Sequence, residues 1–254
     1  VRTVTAATTS ADGASPLLEA LARDGLRGGF LFAMPPAAAE RLLGEAIRIN
    51  VPAGSLVYRE EESPRLLVVV TGLLRIFVSS TDGRQVTVRY ARSGDVAGLA
   101  LVVGGPAPMS IQAMTGSLLV ALRVETLRAL LATDPVVARA CAEELGHQVH
   151  QLLVDVAEQA FLPVRERLAR QLLLLAARGP GRHLVVTASQ QELADAIGSV
   201  REVVTRNLHQ LQAERLVRVG RDGIQLLDPL RLSDIASARD RLGEAPDAAG
   251  RGRP

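Results

Sequence analysis

Along this chain the apolar positions change rhythm once, near Val124. Between Val51 and about Val124 they come in short runs: Leu66–Val70, Leu74–Val78, Gln85–Tyr90 and Leu118–Leu122. Turn signals separate the runs, namely Pro52-Ala53-Gly54, Thr71-Gly72, Asp82-Gly83 and Ser93-Gly94-Asp95. Short strands at roughly 8–12-residue spacing predict a sandwich or jelly roll rather than alternating βα units, and Asp82-Gly83 marks a hairpin. A short helical stretch, Pro36–Ile47, leads into this region. After Val124 the pattern is helical. Thr126–Leu131 reads as a short helix ended by Asp134-Pro135, and a long helix follows from about Val136 to Ala160.

Within the long helix Ala138, Ala142, Leu145, Val149, Leu152 and Val156 recur at a spacing of 4-3-4-3-4. That is an a/d seam over about three heptads, the pattern that makes two helices wind around each other. Leu145, Val149, Leu152 and Val156 are therefore expected at a dimer interface. The competing reading packs the same stripe on the chain's own β domain. Phe161-Leu162-Pro163 interrupts the helix and Val164–Ala177 forms the next one.

The C-terminal third carries the most specific pattern. Ser189 stands as the N-cap of a helix from Gln190 to about Ala196, and Gly198 supplies a sharp turn. A second helix runs from about Val200 to Glu214, with Val203, Val204, Leu208 and Leu211 spaced for an inner face. Leu216–Val219 and Ile224–Leu227, joined across Gly220-Arg221-Asp222-Gly223, make a two-stranded hairpin. Helix, glycine turn, helix and hairpin in that order compose a winged helix-turn-helix. Arg201, Glu202, Thr205, Arg206 and His209 share the outer face of the second helix. Arginine pairs bidentately with guanine, and glutamate accepts from the cytosine amine. Arg218 and Arg221, in or beside the hairpin, are placed to touch phosphate, a contact that positions without specifying.

Composition narrows the function. The chain has 254 residues, 48% hydrophobic and 22% charged, enough for one large domain or two small ones and too apolar for a disordered chain. Leu66–Leu74 is too short for a membrane span, and Ala97–Met109 is broken by glycines and prolines. Val1–Ala14 lacks the basic-then-apolar profile of a signal peptide, so a cytoplasmic protein is expected. A single cysteine, Cys141, excludes an intrachain disulfide, a zinc ribbon and an iron–sulfur cluster. No histidine precedes His147, which removes a metal-binding cupin. His147 and His150, one turn apart, read as surface residues rather than haem ligands. With no nucleophile elbow, P-loop or dinucleotide fingerprint, no catalytic residue and no metal site are assigned, and a non-enzyme is expected.

All 29 basic residues are arginine, as in proteins of GC-rich genomes, so the placement of charge matters more than its amount. Residues 164–232 carry 11 arginines against 7 acidic residues, a net of +4. Residues 1–163 carry 14 against 16, a net of −2. The positive charge sits on the winged-helix segment.

The order β-roll, long helix, Ala160-Phe161-Leu162 hinge and winged helix-turn-helix resembles the CRP/FNR family of bacterial transcription regulators, over roughly residues 25–232. The most specific matches are Gln191-Glu192-Leu193-Ala194, Ile197-Gly198, Arg201-Glu202-Val203-Val204-Thr205-Arg206 and the roll segment Gly94-Asp95-Val96-Ala97-Gly98. The resemblance implies an α+β chain: an N-terminal double-stranded β-helix (jelly roll) domain, a long dimerisation helix and a C-terminal winged helix-turn-helix domain. Its divisions are a disordered tail at 1–24, a cyclic-nucleotide-binding-like roll at 25–134, a dimerisation helix and hinge at 135–162, the DNA-binding domain at 163–232 and a tail at 233–254. It implies a homodimer on a palindromic operator, with RNA polymerase as a further partner and no membrane. Arg201, Glu202 and Arg206 become the base readers, within a contact set of Ser189, Gln190, Ser199, Thr205, Arg218 and Arg221. The family usually has Ser or Thr just before that first arginine. Here the residue is Val200, and Ser199 is expected to substitute.

The sensory half departs further. Members that bind cyclic AMP use a Gly-Glu-Leu-(Ala/Gly)-Leu…Arg-(Ser/Ala)-Ala segment, matched here by Gly98-Leu99-Ala100-Leu101 and Ala107-Pro108-Met109. The ribose-binding glutamate is Leu99, and no arginine lies between Arg92 and Arg123 to hold a phosphate. Where the long helix should offer Thr and Ser to the base it has Leu152 and Leu153. Gly98, Leu99, Ala100, Leu101, Leu152 and Leu153 thus outline an effector pocket suited to an apolar ligand or to none, and the effector stays unidentified. The resulting expectation is a sequence-specific transcription regulator not gated by cyclic AMP. The alternative is an interaction adaptor that uses the winged helix and the roll as platforms.

Overall fold

The computed structural model describes residues 29–60, 62–179 and 183–237. The tail expected at 1–24, and the expected C-terminal tail beyond residue 237, lie outside them. The chain forms two compact units that divide between Val154 and Asp155. No helix among the described residues is long and apolar enough to cross a membrane.

The first unit opens with a 3-10 turn, Phe30–Ala33, and helix α1, Pro36–Gly44. Strands β1 (Ile47–Val51), β2 (Leu56–Tyr58), β3 (Leu66–Thr71), β4 (Leu73–Ser79), β5 (Gln85–Arg92) and β6 (Val96–Ala97) follow. Helix α2 (Leu99–Gly104), strands β7 (Ser110–Ala113) and β8 (Ser117–Leu122) and helix α3 (Val124–Thr133) lead into the long helix α4 (Pro135–Phe161). The strands form two antiparallel sheets, ordered β1-β8-β3-β6 and β2-β7-β4-β5. This is the jelly roll expected from the strand spacing.

Two hydrophobic cores explain the sequence pattern. Leu67, Val69, Leu74, Ile76, Ile111 and Leu119 meet between the sheets. Leu66, Val68, Val70, Val120 and Leu122, on the other face of the first sheet, pack under α1, α3 and the start of α4. Strand β3 is covered on both faces, so all of Leu66–Val70 is buried. A continuous apolar run is what such a strand requires, where a half-exposed strand would alternate.

The expected helix Pro36–Ile47 overshoots: it ends at Gly44, and Ile47–Val51 is a strand paired from Ile47↔Ala121 to Val51↔Ser117. Only Val51 of its five residues is buried, so the core imposed no alternation on the rest. The glycine-broken stretch after Ala97 contains α2, whose N-cap Gly98 has φ +87°. A Cβ there would lie 1.8 Å from the Arg65 carbonyl oxygen, so only glycine fits this approach of two backbones.

In the second unit the elements after α4 are α5 (Val164–Leu175), β9 (Ala177–Arg178), β10 (Leu184–Val186), α6 (Gln190–Ala196), α7 (Arg201–Ala213), β11 (Val217–Gly220), β12 (Gly223–Leu226) and α8 (Pro229–Ala236). The expected two-stranded hairpin is half of a four-stranded antiparallel sheet, β11-β12-β10-β9. Strands of two and three residues give no period to read. Helix α5 stops two residues short of Ala177 because the chain turns into β9. Helix α8 runs across residue 233 and packs Leu232 and Ala236 with Leu168 and Leu172 of α5, so the fold extends past the expected start of the tail.

The last residues of α4 are fastened within this second unit. Arg170 on α5 pairs with Glu158 and donates to the Ala236 carbonyl at 2.8 Å. Arg167 donates to the Gln159 carbonyl at 3.0 Å, and burial pulls its pKa below the usual arginine value.

Candidate DNA interface

Helix α6 starts on a capping box. Ser189 Oγ accepts from the Glu192 amide at 3.2 Å, and Glu192 Oε2 accepts from the Ser189 amide at 2.7 Å. This pairing satisfies two amide donors that a helix start leaves open. The turn that follows buries Ile197 and places Gly198 at φ +59°, with the Ser199 amide donating back to the Ala194 carbonyl at 3.0 Å. A Cβ on Gly198 would come within 3.1 Å of Gln159 Oε1.

The N-cap of α7 is Val200, and no side chain caps it. Ser199 therefore does not take the capping role expected of it, because it stands one residue too early. Val204, Leu208 and Leu211 are fully buried against α5 and α6. Val203, expected beside them, is only half-buried. Arg201, Glu202, Arg206 and His209 are exposed, and among the described residues none of the four side chains forms an ion pair or a hydrogen bond. Thr205 is half-buried and engaged with Gln190.

The wing is positioned from α7. Gln212 Oε1 accepts from the Val219 amide at 3.1 Å, and β12 inserts Ile224 and Leu226 into the core. Arg218 lies on β11 and Arg221 in the two-residue turn between Gly220 and Gly223, both exposed. A recess of about 450 Å³ opens between Thr187–Gln190 and Val219–Ile224, with Ser189, Gln190 and Arg221 among its lining. Every expected contact residue thus lies on the second unit. Arg201, Glu202 and Arg206 share one free face, and Ser189, Gln190 and Arg221 share one recess. Ser199 is half-buried in the turn, and Arg218 is on the wing.

The expected seam residues separate. Leu145 packs against the core of the roll, and Leu152 is half-buried. Val149 and Val156 are exposed by 54% and 62%, and Leu153, assigned to the pocket, by 65%. Positions 149, 153 and 156 form an open apolar stripe at spacings of four and three. The other pocket residues also part: Leu99 is buried in the core under the helices and Leu101 in the core between the sheets, while Ala100 is exposed. Cyclic AMP needs a cation and polar groups for its phosphate and ribose. Residues 98–101 supply neither, so they do not fit that ligand. Among the described residues no cluster of three or more His, Cys, Asp or Glu side chains could hold a metal ion.

Comparison with known proteins agrees with both halves. The family model for the Crp-like helix-turn-helix domain matches residues 166–235, and that for the cyclic nucleotide-binding domain matches residues 48–134. The transcriptional regulator SdrP of Thermus thermophilus is 30% identical over 176 residues, covering 67% of this chain and 83% of the relative. A CRP-like cAMP-activated global transcriptional regulator of Mycobacterium tuberculosis is 26% identical over 214 residues, covering 82% and 96%. Among solved structures, a transcriptional regulator of the CRP/FNR family, also from Thermus thermophilus, superposes with a TM-score of 0.63 at 27% identity, covering 76% of this chain and 99% of that one. A CRP/FNR structure from Eubacterium rectale, at 21% identity, gives 0.68 over 81% and 96% and bears on the fold alone. With a nucleotide-binding-type roll, a long helix and a Crp-like helix-turn-helix in this order, the chain belongs to the CRP/FNR family of bacterial transcription regulators.

Proposed function

We propose that this regulator works in the cytoplasm as a homodimer that reads a palindromic operator with α7, by binding rather than catalysis, and that it engages RNA polymerase from there. The observation that carries the reading is the free face of α7. Arg201, Glu202 and Arg206 are exposed and without ion-pair partners among the described residues, while Val204, Leu208 and Leu211 behind them are rigidly packed. Leaving three charged side chains unpaired beside one another favours a partner that supplies their complement, and the edges of G·C pairs do so. The open stripe Val149, Leu153 and Val156 supports a second copy packed along α4. Two-fold symmetry then places half-sites about one helical turn apart, roughly 10–11 base pairs.

The relative from Mycobacterium tuberculosis is described as cAMP-activated. In this chain Leu99 replaces the acidic residue, and residues 93–122 contain no arginine. We infer that cyclic AMP does not gate it and that the DNA-competent state is substantially populated without effector, since a ligand shifts a balance only through differential affinity. Selection of sites from random duplex DNA, followed by binding at rising salt, tests the whole reading. A palindromic consensus retained as affinity falls steeply with salt is expected. Absence of sequence preference, or an apo-protein silent until cyclic AMP is added, would overturn it.

A further inference from the structure

One polar contact ties α7 to the helix in front of it. Thr205, one turn after Arg201, holds its hydroxyl 2.6 Å from Gln190 Oε1 and 2.9 Å from the Arg201 carbonyl oxygen. Gln190 is the first residue of α6. Around this contact the two helices meet through apolar side chains, with Leu193, Ala194 and Ile197 in one core with Val204 and Leu208.

A hydroxyl has one proton and cannot donate fully to two oxygens. Of the two acceptors, Gln190 Oε1 lies nearer than the Arg201 carbonyl oxygen. The shorter contact therefore takes the proton, and Thr205 donates to Gln190. Its proton is then spent inside the protein rather than offered to a base edge. The Gln190 amide is held by its oxygen, while its Nε2 has no hydrogen-bond partner among the described residues. Gln190 borders the recess that Arg221 also lines. The recess is also lined by the Asp222 carboxylate, but the Gln190 amide nitrogen and the Arg221 guanidinium both donate and neither accepts, so a ligand that meets these two presents an acceptor oxygen, as a phosphate does.

Resting on the DNA reading above, we propose that Thr205 is a positioning residue: it fixes Gln190 so that the amide nitrogen donates to a DNA backbone phosphate beside the wing. Thr205 then affects affinity on every sequence alike and specifies no base pair. Because Gln190 is neutral, the contact adds nothing to the salt dependence.

The test is anisotropy titration of the full chain on its selected operator and on unrelated duplex, with Thr205→Val, Thr205→Ser, Gln190→Ala and the Thr205→Val/Gln190→Ala pair. Valine keeps the shape and removes the hydroxyl, and serine keeps the hydroxyl. Thr205→Val and Gln190→Ala should each weaken both DNAs by about 5–10-fold with an unchanged salt slope. Thr205→Ser should bind like the parent protein, and the double variant should be no weaker than either single one. Multiplicative losses in the double variant, or a changed consensus with Thr205→Val, would overturn the assignment. If the parent protein binds no DNA, the reading it rests on fails and the proposal falls with it. Melting curves of the four variants register any loss of fold, and Thr205→Ser decides between hydroxyl and packing.

Discussion

Arg89 on β5 and Gln148 on α4 converge on a single acceptor, the Val96 carbonyl, at 2.6 and 3.5 Å. Gln148 also donates to Glu144 Oε1 at 2.6 Å, one turn back along the same helix. Burial pulls the pKa of Arg89 down, and the Asp95 and Glu144 carboxylates oppose that pull. A mostly desolvated guanidinium is tolerable only with such partners. Val96 stands two residues before Gly98, so this guanidinium helps to hold β5, β6 and α4 together just ahead of α2.

Arg89→Met should expose the worth of this clasp. Methionine keeps much of the apolar stem but leaves the Val96 carbonyl with only the long contact to Gln148. Loss of about 1–2 kcal/mol is expected, as a lower urea midpoint with an unchanged slope. An unchanged midpoint would mean that Arg89 contributes no net stability there.

Val200 at the N-cap of α7 leaves the first turn of that helix without a side-chain acceptor. Its backbone is extended, at φ −112° and ψ 153°, as an N-cap requires. Val200→Ser should therefore stabilise the second unit by about 1 kcal/mol, seen as a higher melting temperature. Slower amide exchange at residues 202–204 would localise the gain to the first turn.

These sites show why some of the chain was legible and some was not. Leu66–Val70 announced a strand because burial on both faces writes an unbroken apolar run, and Ser189 announced a helix start because the open amides of a first turn need such a side-chain acceptor. Ile47–Val51 was hidden because it is held by backbone pairing to β8 with little burial of its side chains. Strands β9 and β10 were hidden by their length. The heptad on α4 was real as a spacing. Spacing alone could not tell that Leu145 turns toward the roll while Leu153, one residue off the counted seam, lies open. Nor does any local pattern show that Thr205 reaches back to Gln190, since that contact exists only after α6 and α7 pack.

Cys141 gives a test of the first unit's integrity. Burial, with a smaller push from Glu144, raises its thiol to about 11 from an ordinary value near 9. The folded state thus holds this proton more tightly than the unfolded chain does. Its contribution to stability is complete below pH 9 and is lost as the pH rises toward 11. A thiol reagent at about pH 8 should label Cys141 only after denaturation. Stoichiometric labelling of the folded protein would show that the core around Cys141 opens.

The stripe on α4 separates two kinds of substitution. Leu153→Arg should put charge into a seam between copies and give monomers in sedimentation, with the fold intact. Leu145→Ala should leave the mass unchanged and cost about 1–3 kcal/mol of stability, because Leu145 packs on the chain's own core. The reverse outcome would return the interface to the side of the helix that carries Leu145.

Base reading and phosphate holding should come apart in two arginines. Arg206 is exposed on the free face of α7 and Arg221 in the turn of the wing. A guanidinium in the major groove pairs with O6 and N7 of one guanine, so Arg206→Ala should cost about 1–3 kcal/mol on the operator and relax the consensus at one base pair per half-site. Glu202, accepting from a cytosine amine nearby, should fix an adjacent G·C pair in the same register. Arg221 beside the recess is expected to meet phosphate, which carries no sequence. Arg221→Ala should therefore weaken operator and unrelated DNA equally and reduce the slope of log K against log salt by about one. Site selection with both variants, at two salt concentrations, measures all of this at once. An unaltered consensus for Arg206→Ala would remove α7 as the reading element. A changed consensus for Arg221→Ala would mean that the wing reads bases as well as holding the backbone.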